Sequence, residues 1–256
     1  MALILCIETA TEVCSVALAR DEKILGIKES SARNVHSAML TLFIDDLIKS
    51  SGFQITDLDA IAVSMGPGSY TGLRIGVAAA KGLCYAIDKP LIAVHTLQAM
   101  AVGMNDQLQM TDDQLPMTDD QLPMTNDQLP MTNGQSGIFL CPMIDARRME
   151  VYSAVFDQQN REIREVCAEI INDFSFQELL TDHRIAFGGE GAEKCKPVLG
   201  DHPNALFMDG FQASARFITR LAEEKFREKK FESLAYFEPF YLKDFVAGKP
   251  RVKGLI

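Results

Sequence analysis

The sequence lacks the patterns that most often reveal a function directly. It contains no apolar run near the roughly 20 residues that a membrane-spanning helix needs. Its first residues, MALILCIE, carry no basic leader, so we expect a cytoplasmic protein that does not enter a membrane. The common nucleotide fingerprints G-x-x-x-x-G-K-[ST] and G-x-G-x-x-G are both missing. A glycine-rich turn is nevertheless present in SMGPGSYTGLRIGVAAAKGL, residues 64–83, which reads as a strand end, a turn and a helix.

Cysteine, histidine and basic residues are too scattered to indicate a site. The six cysteines form no C-x-x-C pair and lie mostly in apolar stretches, which favours buried, reduced thiols over disulfides. The four histidines have no metal-binding spacing. The net charge of −10 argues against tight, unaided binding to RNA. A small basic group near the end fits a solvated tail and a nucleic-acid contact equally well; it comprises Lys243, Lys249, Arg251 and Lys253.

Residues 107–134 hold four copies of a seven-residue unit: QLQMTDD, QLPMTDD, QLPMTND and QLPMTNG. A seven-residue period can indicate a coiled coil, but Leu and Met stand two positions apart, which is not the spacing of a coiled-coil seam. Proline recurs at Pro116, Pro123 and Pro130, and each would break a helix at a cost of about 3 kcal/mol. We therefore predict a disordered insert over 105–136 whose deletion leaves the fold intact.

The same order of elements occurs on both sides of this insert. Upstream are strands at 2–8, 13–19 and 24–28, a helix over 34–51, a strand at 58–64, the helix after the glycine-rich turn, a strand at 91–94 and a helix from 96. Downstream are strands at 138–144, 150–156 and 163–170, a helix at 174–181, a strand at 185–188, and helices at 190–199 and 212–228. We predict an α/β fold of two tandem β-β-β-α-β-α lobes, over 1–104 and 137–256, with mixed sheets covered by helices. The last segment is expected to pack back on the first lobe.

Two such lobes enclose a cleft, and an acid ends the first strand of each. Glu8 lies in IETATEVCSVAL and Asp145 in IDARRMEVYSAVF, at similar places in the two series. In a phosphate-transferring enzyme two such acids could hold Mg²⁺ across the cleft. The alternative, that both acids simply end hairpin turns, stays open at this point.

Several motifs together resemble the TsaB (YeaZ) family: GPGSYTGLRIGVAAAKGL, IDARRMEVYSAVF, ETATEVCSVAL and RNVHSAML. The likeness covers nearly the whole chain outside the insert, including FYLK near its end. It implies the actin-like ATPase (ribonuclease H-like) fold, whose duplicated lobes agree with the order above. It also implies a non-catalytic subunit needed to make threonylcarbamoyladenosine beside the anticodon of tRNA. The implied partners are a TsaD-like catalytic paralogue and a TsaE-like ATPase, with tRNA met only through the complex. A homodimer is an alternative form for the chain when it is alone, and the preference between the two stays open.

The resemblance also bears on cofactors. In TsaD two metal-binding histidines stand four residues apart after the equivalent helix; here those positions are Thr96 and Met100, and His95 stands alone. We therefore expect no catalytic residue, no metal site and no cofactor of the chain's own, with ATP or ADP and metal entering only in the assembled complex. Weak candidates for residual nucleotide binding are Glu8, Thr9, Asp145, Gly188 and Gly189.

The helix after the glycine-rich turn has one face made only of glycine and alanine, which we call its bare face. Gly72, Gly76 and Ala80 recur every four residues. Each internal glycine costs a helix up to about 1 kcal/mol relative to alanine, so another backbone should approach closely there. That backbone could belong to this chain or to a partner. The family resemblance favours a partner, and Arg74 on the same helix joins the predicted partner-binding set.

The hairpin turn of IDARRMEVY supplies two further partner-binding candidates, Arg147 and Arg148, although a solvated turn explains them equally well. Rival functions are a small kinase or ATPase, a glycoprotease-like peptidase of the same superfamily, and a homodimeric scaffold. Against the peptidase, no Ser-His-Asp arrangement can be assigned, and Ser69 lacks the G-x-S-x-G context of a nucleophile elbow.

Overall fold

The structure, a computed structural model, describes residues 2–32, 36–112 and 137–243. Within the first two ranges the first lobe is a mixed sheet with the strand order β3-β2-β1-β4-β5. Its elements are β1 (Leu3–Glu8), β2 (Cys14–Arg20), β3 (Lys23–Ser30), α1 (His36–Ser50), β4 (Ala60–Gly66), α2 (Tyr70–Ile87), β5 (Leu91–His95) and α3 (Thr96–Asp112). Strands β1, β2 and β3 pair antiparallel, whereas β1, β4 and β5 pair parallel.

The second lobe repeats this arrangement with the order β10-β9-β6-β7-β8. Its elements are β6 (Phe139–Asp145), β7 (Glu150–Phe156), β8 (Glu162–Ile170), α4 (Gln177–Leu180), β9 (Ile185–Gly188), α5 (Glu190–Leu199), β10 (Ala205–Met208) and α6 (Ile218–Arg227). Strands β6, β7 and β8 pair antiparallel, and β6, β9 and β10 pair parallel. The predicted fold of two tandem α/β lobes with mixed sheets is confirmed.

Three elements of the second lobe differ from the prediction. Helix α4 covers only Gln177–Leu180 of the predicted 174–181. Strand β10 has four residues and extends the sheet beyond β9, but so short a run between turns carries no alternation that could identify it. The predicted helix over 212–228 is shorter than expected. A 3-10 turn at Ala215–Phe217 precedes α6, and Ser214 caps that turn by accepting a hydrogen bond from the N–H of Arg216 at 3.2 Å.

Local sequence explains the two elements that frame the cleft. All six residues of β1 are buried, as a continuous apolar run predicts for a central strand covered on both faces. Helix α2 begins where Ser69 Oγ accepts a hydrogen bond from the N–H of Gly72 at 3.3 Å. It ends at Asp88, which adopts left-handed backbone angles and donates its N–H to the carbonyl of Cys84.

The two lobes share a central core. Helix α3 packs on β6 and β7 as well as on β4 and β5, and α6 packs on β1, β4 and β5 of the first lobe. The central apolar cluster therefore takes side chains from both sheets, among them Ile4, Ala62, Leu140 and Ile144. Separate clusters lie on the outer faces, one under α1 and α2 and one under α4 and α5. Because the central cluster belongs to both sheets, the two lobes form one hydrophobic unit.

Helix α3 extends beyond the predicted start of the insert. Residues 105–112, assigned to a disordered segment by the sequence, are helical and include most of the first repeat copy. That copy has Gln109 where the later copies have proline, so its backbone can continue the helix. Leu108 of the same copy packs on the central cluster. The predicted disorder over 113–136 lies outside the described residues.

After α6 the chain returns to the first lobe. The N–H of Glu232 donates to the first carbonyl of β5 at 2.9 Å, and Phe237 joins the cluster under α1 and α2. The N–H of Phe240 then donates to the carbonyl of Met65 at the end of β4, at 2.7 Å. Residues 228–243 therefore lie against the first sheet. Across the part of the chain that the structure describes, we find no helix with the length and apolar character needed to cross a membrane.

Candidate functional site

A cleft of about 1010 Å³ opens between the lobes. The first lobe contributes the β1–β2 turn and the first residues of α1 and α2. The second lobe contributes the β6–β7 turn, Tyr152 and the first residue of α5. The last described residues, Tyr241, Leu242 and Lys243, complete the wall. The cleft is thus bordered by both halves of the chain.

Glu8, at the end of β1, is buried and does not line the cleft. Its Oε1 accepts hydrogen bonds from the N–H of Ala10 at 2.6 Å and from Ser64 Oγ at 3.0 Å. Burial raises the pKa of Glu8 to about 7, although these hydrogen bonds lower it. The prediction that Glu8 faces the cleft together with Asp145 is therefore wrong, since its carboxyl group ties the β1–β2 turn to β4.

Three backbone donors of the β1–β2 turn are engaged within the chain. The N–H of Thr9 donates to Ser64 Oγ at 3.4 Å, that of Ala10 to Glu8 at 2.6 Å, and that of Val13 to Thr11 Oγ1 at 3.2 Å. Thr9 itself is fully buried, and its Oγ1 donates to the carbonyl of Gly72 at 2.9 Å. A phosphate held by such a turn needs free N–H groups. The N–H groups of Thr9, Ala10 and Val13 are therefore already engaged and not free for a phosphate.

Asp145, at the end of β6, does line the cleft. It forms an ion pair with Lys194 and accepts a hydrogen bond from the N–H of Arg147 at 2.8 Å. Arg147 and Arg148 form the β6–β7 turn and are exposed, with left-handed φ angles of 74° and 52°. Arg147 also borders the cleft. The predicted hairpin turn is present, and the one acid of the predicted pair that reaches the cleft has a lysine as its partner.

Glu190, the first residue of α5, lines the cleft together with Asp145 of its own lobe and Glu12 of the first lobe. Burial raises its pKa to about 7, and the nearby carboxylates of Glu12 and Asp145 raise it further. The N–H of Glu12 and the ammonium group of Lys194 act in the opposite direction. The lining of the cleft carries basic as well as acidic side chains.

The glycines before Glu190 pack within the second lobe. Gly188 is buried beside Met104 and does not line the cleft. Gly189 has a φ of 105°, and a Cβ there would lie closer than 3.0 Å to the carbonyl oxygen of Met143. Both glycines thus permit the tight junction between β9 and α5. Their place in a nucleotide site stays a prediction.

The positions that align with the TsaD histidines lie in the interior. Thr96 and Met100 are buried at the start of α3, and Met100 belongs to the central cluster. His95 is partly buried, its ring stacks edge-on against Phe240 at 5.8 Å, and burial lowers its pKa. Within the described ranges no three His, Cys, Asp or Glu side chains converge closely enough to hold a metal ion.

The bare face of α2 packs on its own chain. Gly72 and Gly76 are buried, and a Cβ on either would lie closer than 3.0 Å to an oxygen of Thr9. Ala80 is fully buried in the cluster under α1 and α2. The prediction that these three residues bind a partner is therefore wrong. The close approach that the glycines permit is to the residue that follows β1.

The opposite side of α2 is exposed. Arg74 places its guanidinium 5.2 Å from the ring centre of Tyr70 and donates to the Tyr70 hydroxyl at 3.0 Å. Ala78 and Gly82 follow along this side, and Tyr85 is 84% exposed. We define the outer face of α2 as Arg74, Ala78, Gly82 and Tyr85. It is accessible to another molecule.

Sequence reasoning did not single out three cleft residues, Glu12, His36 and Glu190. The acid after the paired glycines of FGGEGAEK is a local signal for Glu190, since acids are common in the first turn of a helix. Its position opposite Glu12 depends on how the lobes meet. The His36 ring Nε2 lies 3.1 Å from the carbonyl oxygen of Thr11, a contact between α1 and the β1–β2 turn that no motif predicts.

Two tandem mixed-sheet lobes around a shared core define a two-lobed α/β fold that solved proteins also have. The structure titled "YeaZ from Pseudomonas aeruginosa" superposes with a TM-score of 0.73 at 22% identity, covering 94% of this chain and 100% of that chain. A second Pseudomonas aeruginosa structure, described as an uncharacterized protein with similarity to peptidase YEAZ, gives a TM-score of 0.75 at 22% identity and covers 95% and 100%.

Sequence comparison identifies the family. The Escherichia coli (strain K12) protein named tRNA threonylcarbamoyladenosine biosynthesis protein TsaB is 30% identical over 96% of this chain and 96% of its own length. TsaB of Haemophilus influenzae is 28% identical over 96% and 95%. The family model "TsaD: tRNA N6-adenosine threonylcarbamoyltransferase" matches residues 12–118. The chain belongs to the TsaB family, as its motifs predict.

Proposed function

We propose that this chain takes part in making threonylcarbamoyladenosine in tRNA as a non-catalytic subunit paired with a TsaD-like catalytic subunit. The observation that carries the proposal is the 30% identity to Escherichia coli TsaB over 96% of both chains, since that protein is named for this biosynthesis. The match of a TsaD model to residues 12–118 supports the choice of partner. Two subunits with similar first lobes can pair through equivalent surfaces, as the copies in a symmetric dimer do.

The chemistry of the cleft supports a non-catalytic role. The N–H groups of Thr9, Ala10 and Val13 donate to oxygens of the chain itself. Thr96 and Met100 offer no imidazole to a metal. On this proposal ATP or ADP and metal enter with the assembled complex, which a TsaE-like ATPase joins. The net charge of −10 is consistent with tRNA being held mainly by other subunits.

The outer face of α2 is the proposed pairing surface. Its small residues Ala78 and Gly82 would let a partner helix approach closely, and Tyr85 offers an exposed aromatic anchor. Leu42, on helix α1, which packs against α2, is a further apolar side chain that is 55% exposed. A surface that combines small residues with a few large apolar side chains suits helix-to-helix packing.

The experiment is to mix the purified chain with a TsaD-like paralogue and follow the complex by size-exclusion chromatography with light scattering. Ala78→Glu places a charge in the centre of the outer face and should weaken pairing at least tenfold, because a buried unpaired carboxylate costs more than about 1.4 kcal/mol. Thr181→Glu adds the same charge at an exposed position of the second lobe and is the matched control.

Three results would contradict the proposal. The first is that no heteromer forms at micromolar concentrations. The second is that Ala78→Glu pairs as tightly as wild type, which would place the interface elsewhere. The third is turnover of ATP by the isolated chain with Mg²⁺, which would make it an enzyme. If the chain alone elutes as a dimer that Ala78→Glu dissociates, the same face also serves self-association.

A further inference from the structure

The β6–β7 turn presents two exposed arginines, Arg147 and Arg148, from a hydrogen-bonded backbone. The N–H of Arg147 donates to Asp145 Oδ1 at 2.8 Å, and its carbonyl accepts from the N–H of Glu150 at 3.2 Å. The N–H of Ala146 donates to the carbonyl of Glu150 at 3.0 Å. The two side chains therefore reach solvent from a tight hairpin whose backbone is fixed on both strands.

The backbone of both arginines is strained. Their φ angles are 74° at Arg147 and 52° at Arg148, in the left-handed region that L-residues avoid and glycine adopts at little cost. Within the residues that the structure describes, neither guanidinium group forms a hydrogen bond or an ion pair that could offset this cost. Strained backbone positions cluster at functional sites, so the two side chains are candidates for a contact with another molecule.

The acids beside the turn already have basic partners. Asp145 forms an ion pair with Lys194, and Glu150 forms one with Lys243. Neither carboxylate is therefore free to pair with the arginines of the turn. Their positive charge faces solvent at the edge of the cleft, although the whole chain carries a net charge of −10. Such a local patch attracts an anionic group even where the protein as a whole repels polyanions.

We infer that the Arg147–Arg148 turn binds phosphate groups of tRNA in the assembled complex, an inference that rests on the proposed function. Neighbouring guanidinium groups suit successive phosphates of an RNA backbone, because each is planar, always charged and able to donate several hydrogen bonds at once. Contacts of this kind position the RNA and do not read its sequence. The turn belongs to the second lobe, so pairing through the outer face of α2 does not by itself use it.

The test is the anisotropy of a fluorescently labelled, unmodified tRNA transcript titrated with the complex of this chain and a TsaD-like subunit. Binding is measured at several salt concentrations. Arg147→Gln combined with Arg148→Gln should weaken binding about tenfold and reduce the slope of log affinity against log salt by about two, since each lost phosphate contact removes about 0.9. Arg147→Lys combined with Arg148→Lys keeps both charges and should retain most of the slope.

Arg184→Gln is the matched control. Arg184 is also an exposed arginine of the second lobe, but it directly precedes β9, whereas the arginine turn follows β6. Because β6 and β9 run parallel, the two positions lie at opposite ends of the sheet. Arg184→Gln removes the same charge and should leave both the affinity and the salt slope unchanged. An equal loss in this control would mean that only the overall charge matters and would overturn the inference.

Size-exclusion chromatography of each complex separates this inference from the proposed function. If the wild-type chain forms no complex, both fail. If the complex forms but does not bind tRNA, or binds it equally well with the double glutamine variant, only the inference is overturned. Loss of pairing in the double glutamine variant would also overturn it, because the turn would then contact the protein partner.

Discussion

Gly76 of α2 lies directly against Thr9, so closely that a Cβ at Gly76 would come within 3.0 Å of Thr9 Oγ1. The same hydroxyl donates to the carbonyl of Gly72 one turn earlier on the helix. The spacing of the glycines in α2 therefore allows the helix to pack closely against Thr9, the residue that follows β1. Because this side of α2 packs on Thr9, the opposite side of the helix, with Ala78 and Tyr85, is exposed.

We expect Gly76→Ala to lower the free energy of unfolding by about 1 to 3 kcal/mol, because the added methyl group must displace buried atoms of Thr9. Gly82→Ala, on the same helix, should raise it by up to about 1 kcal/mol, since a Cβ there meets no atom within 4 Å and alanine favours the helix. Urea unfolding of both variants measures the difference.

A double-mutant cycle with Thr9→Ala separates overlap from helix propensity. The loss from Gly76→Ala should shrink when Oγ1 of Thr9 is absent, because that oxygen is the nearest atom to the new methyl group. Equal losses in both backgrounds would mean that the strain arises elsewhere. A gain in stability from Gly76→Ala would contradict the packing argument altogether.

The buried carboxyl group of Glu8 should make stability depend on pH. Its pKa is about 7 in the folded chain against an ordinary 4.5, so the folded state binds the proton more tightly. The free energy of unfolding should therefore fall as pH rises from about 4.5 to about 7, and level off above that. Glu8→Gln removes this titration but keeps an oxygen for Ala10 and Ser64.

Relative to Glu8→Gln, wild type should lose about 1 to 3 kcal/mol between about pH 5 and about pH 8. Chemical denaturation of both proteins at several pH values gives the difference, and the titration of Glu190 cancels because both proteins contain it. A stability difference that stays constant with pH would show that Glu8 ionises normally.

The β6–β7 turn should become more stable with glycine. Arg147 and Arg148 both have left-handed φ angles, which cost L-residues roughly 1 to 2 kcal/mol each and cost glycine little. We expect Arg148→Gly to raise the free energy of unfolding by up to about 1 kcal/mol after the added freedom of the unfolded chain is counted. Arg148→Lys keeps the left-handed backbone strain and should leave the midpoint of thermal unfolding unchanged. A destabilised glycine variant would show that the Arg148 side chain contributes contacts of its own.

Shortening the repeat should leave the fold intact. The core uses residues up to Leu108 on α3 and from Ile138 onward, so replacing 115–135 with a short glycine-serine linker removes no described core side chain. Loop-closure entropy varies slowly with length, so the free energy of unfolding should change by less than about 1 kcal/mol. Insoluble expression, or a lost cooperative transition in circular dichroism, would contradict this expectation.

The tandem order of strands and helices was predictable because it rests on local patterns. The apolar run of β1, the caps of α2 and the hairpin at Arg147 each arise from residues near one another in sequence. Even the close approach of another backbone to Gly72 and Gly76 could be expected, because glycine lowers the stability of a helix unless such packing compensates for it. The family resemblance likewise depends on contiguous motifs.

The sequence by itself determined that α2 would have one side too bare to be left exposed, and that two similar lobes would enclose a cleft. Which molecule covers that side, and which charges meet in the cleft, only the tertiary structure decided. The physical reason is that a bare helix face fits its own sheet and a foreign helix equally well. Only the packing of α2 on Thr9, and the meeting of the lobes that brings Glu190 and Glu12 to one cleft, distinguishes the possibilities.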